Sequence, residues 1–171
     1  PQTARSAELL NAELGRFEAL LSDLLDLSRF DAGAATLELD PVDLAEVAKA
    51  AAADDSLHRA GISANAIGVA QPALVDADIR RVDRMVRNLL ANAVRYSQSK
   101  NLEISVAQAA DRVSFSVRDH GVGMTAEQVR RVFDRFWRGD PARSHGGTGL
   151  GLAIAREDAV LHGGHLEVWS Q

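Results

Sequence analysis

Residues 78–96 read DIRRVDRMVRNLLANAVRY, and this stretch decides the fold. Asp78 is a helix-capping residue, and a strong helix is predicted from there to about Tyr96. Met85, Leu89, Leu90, Ala93 and Val94 supply its apolar surface. Asn88 and Asn92 sit four apart, so both amides project from one face, and Arg95 can approach the same face three residues on. Around this helix the pattern turns strand-like. Gly61 to Ala70 and Ala73-Leu74-Val75 read as short strands before it. After it, Leu102, Ile104 and Val106 alternate with polar residues, as do Val113, Phe115 and Val117, and Ala109-Ala110-Asp111 can turn between them.

Further out, Thr36-Leu37-Glu38-Leu39 reads as a strand ended by Pro41. Asp43 caps a helix running to Asp54, with Leu44, Val47 and Ala48 inward. Arg118 to Gly147 is loop-rich, with a short helix near Ala126 to Phe133. Leu150 to Leu161 is helical, and Leu166-Glu167-Val168-Trp169 starts a final strand. Helices and strands interleave without a regular βαβ rhythm. The expected class is α+β, a layer of helices on a mixed sheet.

The N-terminal segment differs in kind. Leu10, Leu14, Phe17, Leu21 and Leu24 alternate spacings of four and three, a heptad seam. Leu20, Leu25 and Leu27 widen it toward bundle packing. A helix of roughly Thr3 to Ala32 follows, stopped at Gly33. A broad apolar face with no partner segment beside it suggests dimerisation or a partner lying elsewhere.

The chain has 171 residues, 46% of them hydrophobic, and no cysteine. That allows one medium domain plus an appendage and excludes a disulfide scaffold or a Cys-based zinc site. No apolar run approaches the ~20 residues that span a bilayer. The chain opens at Pro1 with neither an initiator Met nor a signal peptide, so it is expected to be a piece of a longer protein. The net charge of −5 hides an asymmetry. Arg80 to Arg156 holds 14 basic and 7 acidic residues, the remainder 5 and 17. A basic middle in an acidic chain poses the question of which anion it meets.

Three short motifs could answer it. The Asn88/Asn92 pair offers neutral oxygen ligands suited to Mg²⁺, and Arg95 offers a donor fork for phosphate. Asp119-His-Gly121-Val-Gly123 follows an alternating strand, so the carboxylate could accept from a purine's exocyclic amine while the glycines allow close approach to a flat ring. Gly147, Gly149 and Gly151 precede a helix, where bare backbone amides and the helix N-terminus favour an anion. The pattern is neither a Walker loop nor the dinucleotide fingerprint. Between the last two motifs lie Arg130, Arg131, Phe133, Arg135, Phe136, Trp137, Arg138 and Arg143, a candidate lid with aromatic anchors.

The ordered set resembles the ATP-binding domain of sensor histidine kinases. The helix is similar to the family's N box, Asp119 to Gly123 to its G1 box, Phe133 to Phe136 to its F box, and Gly147 to Gly151 to its G2 box. Leu24 to Gly33 resembles the junction between dimerisation helix and catalytic domain, and His162-Gly163-Gly164 the end of the last helix. The resemblance implies a Bergerat-type two-layer α/β sandwich that binds Mg-ATP. By matching positions, Asp119 accepts from the adenine amine, Asn92 holds Mg²⁺ and Asn88 assists. Arg95 stands where the family usually has Lys, near the terminal phosphates, and Tyr96 lines the pocket. Arg138 helps position the γ-phosphate, and amides around Thr148, Gly149, Leu150 and Gly151 meet the phosphates. The implied organisation is residues 1–32 as the end of a second dimerisation helix, 33–36 as a linker and 37–171 as the catalytic domain. The family's further strand after Val168 is expected to be lacking, since the chain stops at Gln171.

No H box is present: none of His58, His120, His145, His162 or His165 stands in that context. The expected function is transfer of the ATP γ-phosphate to a histidine on a dimerisation segment outside this chain, and from there to a response regulator. The expected setting is the cytoplasmic side of a membrane-anchored sensor, with a homodimer possible through the N-terminal helix. A gyrase- or chaperone-type ATPase would place a Glu base where Asn88 stands, and an amide abstracts no proton from water. A Ser-directed kinase of the anti-sigma type shares the boxes but fits the Leu-rich entry helix poorly. A dimerising module with a regulatory or inactive pocket is the non-enzymatic alternative. Nucleic acid is not an expected partner, because the arginines fall in one helix and one loop without a nucleic-acid motif.

Overall fold

A computed structural model describes residues 2–139 and 148–170. Its elements run α1 (Gln2–Asp31), β1 (Asp40–Asp43), α2 (Leu44–Ala52), α3 (Asp55–Arg59), β2 (Ser63–Ile67), β3 (Leu74–Ala77), α4 (Ile79–Tyr96), β4 (Asn101–Gln108), β5 (Val113–Arg118), α5 (Ala126–Arg131) and α6 (Gly151–Leu161). The expected α+β class holds. β2 pairs parallel to β4 and β4 antiparallel to β5, giving a mixed three-stranded sheet, while β1 and β3 form a separate antiparallel pair.

The alternation in β4 builds the two layers. Leu102, Ile104 and Val106 are buried in one core with Leu44, Ala45, Ala48 and Ala51 of α2 and Val82, Val86, Leu90 and Ala93 of α4. The intervening Ser105 instead bonds Ser116 of β5 through its hydroxyl at 2.6 Å. Burial of this apolar set, at roughly 25 cal/mol per Å², is the main force holding helices to sheet. A second, smaller core joins α1 to α6: Leu27, Leu150 and Ile154 are buried, with Leu20 and Phe30 packed against them.

The helix starts follow their caps. Asp43 accepts from Ala45 N at 2.9 Å and from Ala73 N at 2.8 Å, tying α2 to the segment before β3. Asp78 accepts from the amides of Arg80 and Arg81 at the start of α4. α1 ends where Ala34 N donates to Arg29 O.

Several boundaries differ from expectation. The predicted strand Thr36–Leu39 is not a strand, and Pro41 lies inside β1 instead of ending it. Side chains of the α4 region capture the backbone of 36–39: Thr36 O accepts from Arg81 and Glu38 N donates to Asp78. β1 pairs with β3 alone, and a strand with one free edge accommodates proline. The helix predicted to Asp54 ends at Ala52, and Asp54 caps a separate helix, α3, whose Leu57 is fully buried. β2 is shorter than Gly61–Ala70. It stops before Gly68, where a Cβ would lie 1.9 Å from Val106 O. α5 ends at Arg131, before Phe133. Leu166–Trp169 makes no ladder; its neighbour Ser170 accepts from Met124 N through its hydroxyl at 2.7 Å.

Candidate active site

α4 lies along α6, and both the loop after β5 and the start of α6 pack against α4. At the C-terminal end of α4, Ser97 bridges to Gly121, and Gln98 N donates to His120 O. A Cβ on Gly121 would lie 2.3 Å from Tyr96 O and 2.5 Å from Asp119 Oδ1. Only glycine lets the 119–123 loop sit against Tyr96 with the Asp119 carboxylate folded over it. Asp119 follows β5 directly, as expected, and is exposed.

Midway along the same helix, Asn88 meets the start of α6. A Cβ on Gly151 would lie 3.0 Å from Asn88 Oδ1, so the second and third motifs touch α4 at two points along its length. Asn88 and Asn92 are half-buried, and among the described residues neither amide is hydrogen-bonded. Arg95 is exposed one turn further on. The α6 N-terminus has no side-chain cap bond, so the first amides of the helix lack that partner.

The residues after α5 close on the glycine loop. Phe136 N donates to Gly149 O at 2.9 Å, and a Cβ on Gly149 would come within 2.8 Å of the Phe136 backbone. Gly149 has φ +72°, and Phe136, with φ 63°, is the one non-glycine residue of positive φ among the described residues. Such strain, of order 1 kcal/mol, persists where surrounding contacts hold it. Phe133 is half-buried, with the Arg156 guanidinium over its ring at 5.7 Å. Thr148 Oγ1 accepts from Leu150 N at 3.3 Å. The Leu150 side chain is fully buried against Leu27, so only its backbone is on the loop side. Gly123 and Arg138 are exposed in their loops. Gly147, Arg143 and His145 lie outside the described residues.

Sequence reasoning left Arg80, Arg81, Arg84 and Arg87 without a role. The structure pairs each with an acid. Asp158 of α6 is fully buried and accepts from Arg81 Nη1 at 2.8 Å, Arg84 Nε at 2.9 Å and Arg84 Nη2 at 2.8 Å. Arg84 also bonds Asp26 of α1, Arg80 bonds Glu38 and Arg87 bonds Asp83. Burial works against the charge on Arg84, but Asp158 and Asp26 outweigh it and raise its pKa above the ordinary guanidinium value. Burial likewise pushes the Asp78 carboxyl up. The amides of Glu38, Arg81 and Arg80, with the Arg80 charge, outweigh that and hold it below the ordinary carboxylate range. Arg135 makes a two-point bond to Asp31, 2.7 Å at each oxygen, from the F-box segment to the end of α1. Two grooves beside α4, of about 480 and about 400 Å³, contain none of the motif residues.

The family described as histidine kinase-, DNA gyrase B-, and HSP90-like ATPase matches residues 77–171. Sensor histidine kinase MtrB of Mycolicibacterium paratuberculosis is 46% identical over 175 residues, covering all of this chain and 31% of that protein. Signal transduction histidine-protein kinase AfsQ2 of Streptomyces coelicolor is 35% identical over 97% of this chain and 30% of its own length. The chain thus spans about a third of the curated relatives it matches. The crystal structure of full-length ShkA in complex with AMPPNP superposes with a TM-score of 0.78 at 29% identity, over 93% of this chain and 34% of that one. Acinetobacter baumannii AdeS, at 24% identity and a TM-score of 0.74 over 90% of this chain and 72% of that one, shares the fold. The chain belongs to the histidine kinase-, DNA gyrase B-, and HSP90-like ATPase family, and along its whole length it is similar to part of sensor histidine kinases.

Proposed function

We propose that this domain binds Mg-ATP across α4, the 119–123 loop and the start of α6. It then donates the γ-phosphoryl group to a histidine on a dimerisation segment of the same protein, for onward transfer to a response regulator. The observation that carries the reading is the meeting of Asn88 with Gly151 and of Tyr96 with Gly121, which brings the second and third motifs against the helix that carries the first. The relative captured with AMPPNP supports it, as do relatives named as sensor histidine kinases. The working location is the cytoplasmic side of a membrane-anchored sensor. No described helix is itself long and apolar enough to cross a membrane.

The donor chemistry fits magnesium. Among the described residues no group of three or more His, Cys, Asp or Glu could hold a metal ion. The amide oxygens of Asn92 and Asn88 are hard, neutral ligands, and Mg²⁺ is commonly held by few protein groups together with water and phosphate oxygens. When bound, the ion would neutralise charge on the phosphate chain. The chain's own residues do the rest. Asp119 accepts from the adenine amine, amides of residues 149–151 donate to phosphate oxygens, and Arg95 and Arg138 offset charge at the terminal phosphate. None need act as a base. Asn88 cannot activate water, so steady-state hydrolysis stays low while transfer to a histidine proceeds.

Calorimetric titration with Mg-ATP should show binding that Asp119→Ala and Asn92→Ala each weaken about tenfold, as loss of a hydrogen bond to a carboxylate or of a metal-binding oxygen implies. Equal affinity in all three would overturn the site. With γ-labelled ATP, the chain should label a supplied dimerisation segment bearing the histidine. Tight nucleotide binding without any labelling would favour a regulatory pocket instead.

A further inference from the structure

α4 and α6 run antiparallel and meet at three levels, two of them through polar bonds. Asn88 meets Gly151 at one end, and His162 Nε2 accepts from Asp78 N at 3.0 Å at the other. Between them, the buried Asp158 carboxylate receives Arg81 and both edge nitrogens of Arg84. Arg84 lies one turn before Asn88, and Asn92 one turn after it, on a single stripe of α4. Asp158 lies about two turns beyond Gly151 on α6.

A buried ion pair is weak evidence for stability, because well-packed apolar residues in its place are often as stable or more so. Ile154 and Ala155 beside Asp158 are buried already, so an apolar side chain would suit the helix. A two-point guanidinium–carboxylate bond supplies something an apolar contact lacks, a fixed register. A split site needs that register: amides on α4 and backbone donors at the start of α6 must meet one phosphate chain.

We propose that Asp158 is a positioning residue for nucleotide binding, setting the phosphate loop of α6 against the amide face of α4 through the forked bond to Arg84. This rests on the nucleotide reading above. A misplacement of about 1 Å caused by a remote change can cost about a hundredfold in rate, and a smaller shift in this register costs correspondingly less.

The test titrates the intact chain with Mg-AMPPNP and with adenosine, which lacks phosphates. In the variant Arg84→Met/Asp158→Leu both members of the pair become apolar. Arg81 keeps Thr36 O, Asp78 and the Phe30 ring as partners. That variant should melt close to the parent and bind Mg-AMPPNP about tenfold more weakly, with adenosine affinity unchanged. Arg84→Lys, which keeps the charge and removes the fork, should show a smaller loss of the same selectivity and carries the test if the double variant does not fold. Parental Mg-AMPPNP affinity in either folded variant would overturn the positioning role. So would equal losses for both ligands, which mark a purely structural pair. A parent chain that binds neither ligand would overturn the nucleotide reading itself, and this role with it.

Discussion

Asp78 is the residue on which most of α4's placement converges. It is 3% exposed, caps the helix, holds Glu38 N from the segment before β1, and its own amide donates to His162. Asp78→Ala should lower unfolding free energy by about 1–2 kcal/mol, as loss of a strong cap does, read from chemical denaturation. The pH dependence has a definite sign. The carboxyls of Asp78 and Asp43 are held below their ordinary value in the fold, Asp43 chiefly by the Ala73 amide. Their stabilising contribution is present above the ordinary carboxylate pKa and is lost as pH falls through the lowered folded values. Acid melts should therefore show a steep loss below about pH 4 that Asp78→Asn makes shallower. Asp23 on α1 runs the other way: burial raises its carboxyl, against the pull of Arg84, so Asp23→Asn should raise the melting temperature at neutral pH. The motif residues were legible one by one because each is an odd residue for its place: paired amides on a helix, an acid before two glycines. Asp158 is equally odd, an acid on the inward face of an apolar helix, yet it belongs to no motif. Nothing local shows that two arginines more than seventy positions away will meet it.

The elements that periodicity resolves best are those whose burial is one-sided. α4, β4 and β5 follow the sequence closely, because helix spacing in one and strict alternation in the others leave one consistent face. Thr36–Leu39 has the same alternation and fails as a strand, because Asp78 and Arg81 bind its backbone before any strand can. α3 was missed because five residues carry too little periodicity, although Asp54 ahead of the buried Leu57 marked it. The seat of α1 was also invisible, since Leu27 looks like its heptad neighbours until Leu150 is known to lie beneath it. That seat is testable. Leu27→Ala should speed amide exchange in the last turns of α1 and cost about 2–4 kcal/mol where the two move together. Leu21→Ala, at a position 49% exposed, should change either measure very little at concentrations where the chain is monomeric.

At the scale of the whole molecule, the charge asymmetry is absorbed mostly within the chain. Arginines of the basic middle pair with Asp26, Asp31 and Glu38 of the acidic N-terminal part and with Asp158 beyond it. The long-range field available to a polyanion is correspondingly small, in keeping with a compact phosphate ligand. Among the described residues, Leu10, Leu14, Phe17 and Leu21 are all about half exposed or more along one α1 seam, above the point where Leu27 is covered. A stripe of that length and spacing is the surface two helices use to pair, and hydrophobic association weakens little with added salt. The chain should therefore self-associate reversibly, with sedimentation showing a mass that rises with concentration and persists at high salt. Leu14→Asp with Leu21→Asp should return it to a monomer while leaving Mg-nucleotide affinity unchanged, because neither residue belongs to the α1–α6 core. A concentration-independent monomer in the parent chain would mean that the seam pairs only with another segment. A dimer indifferent to both substitutions would place the contact elsewhere on the domain.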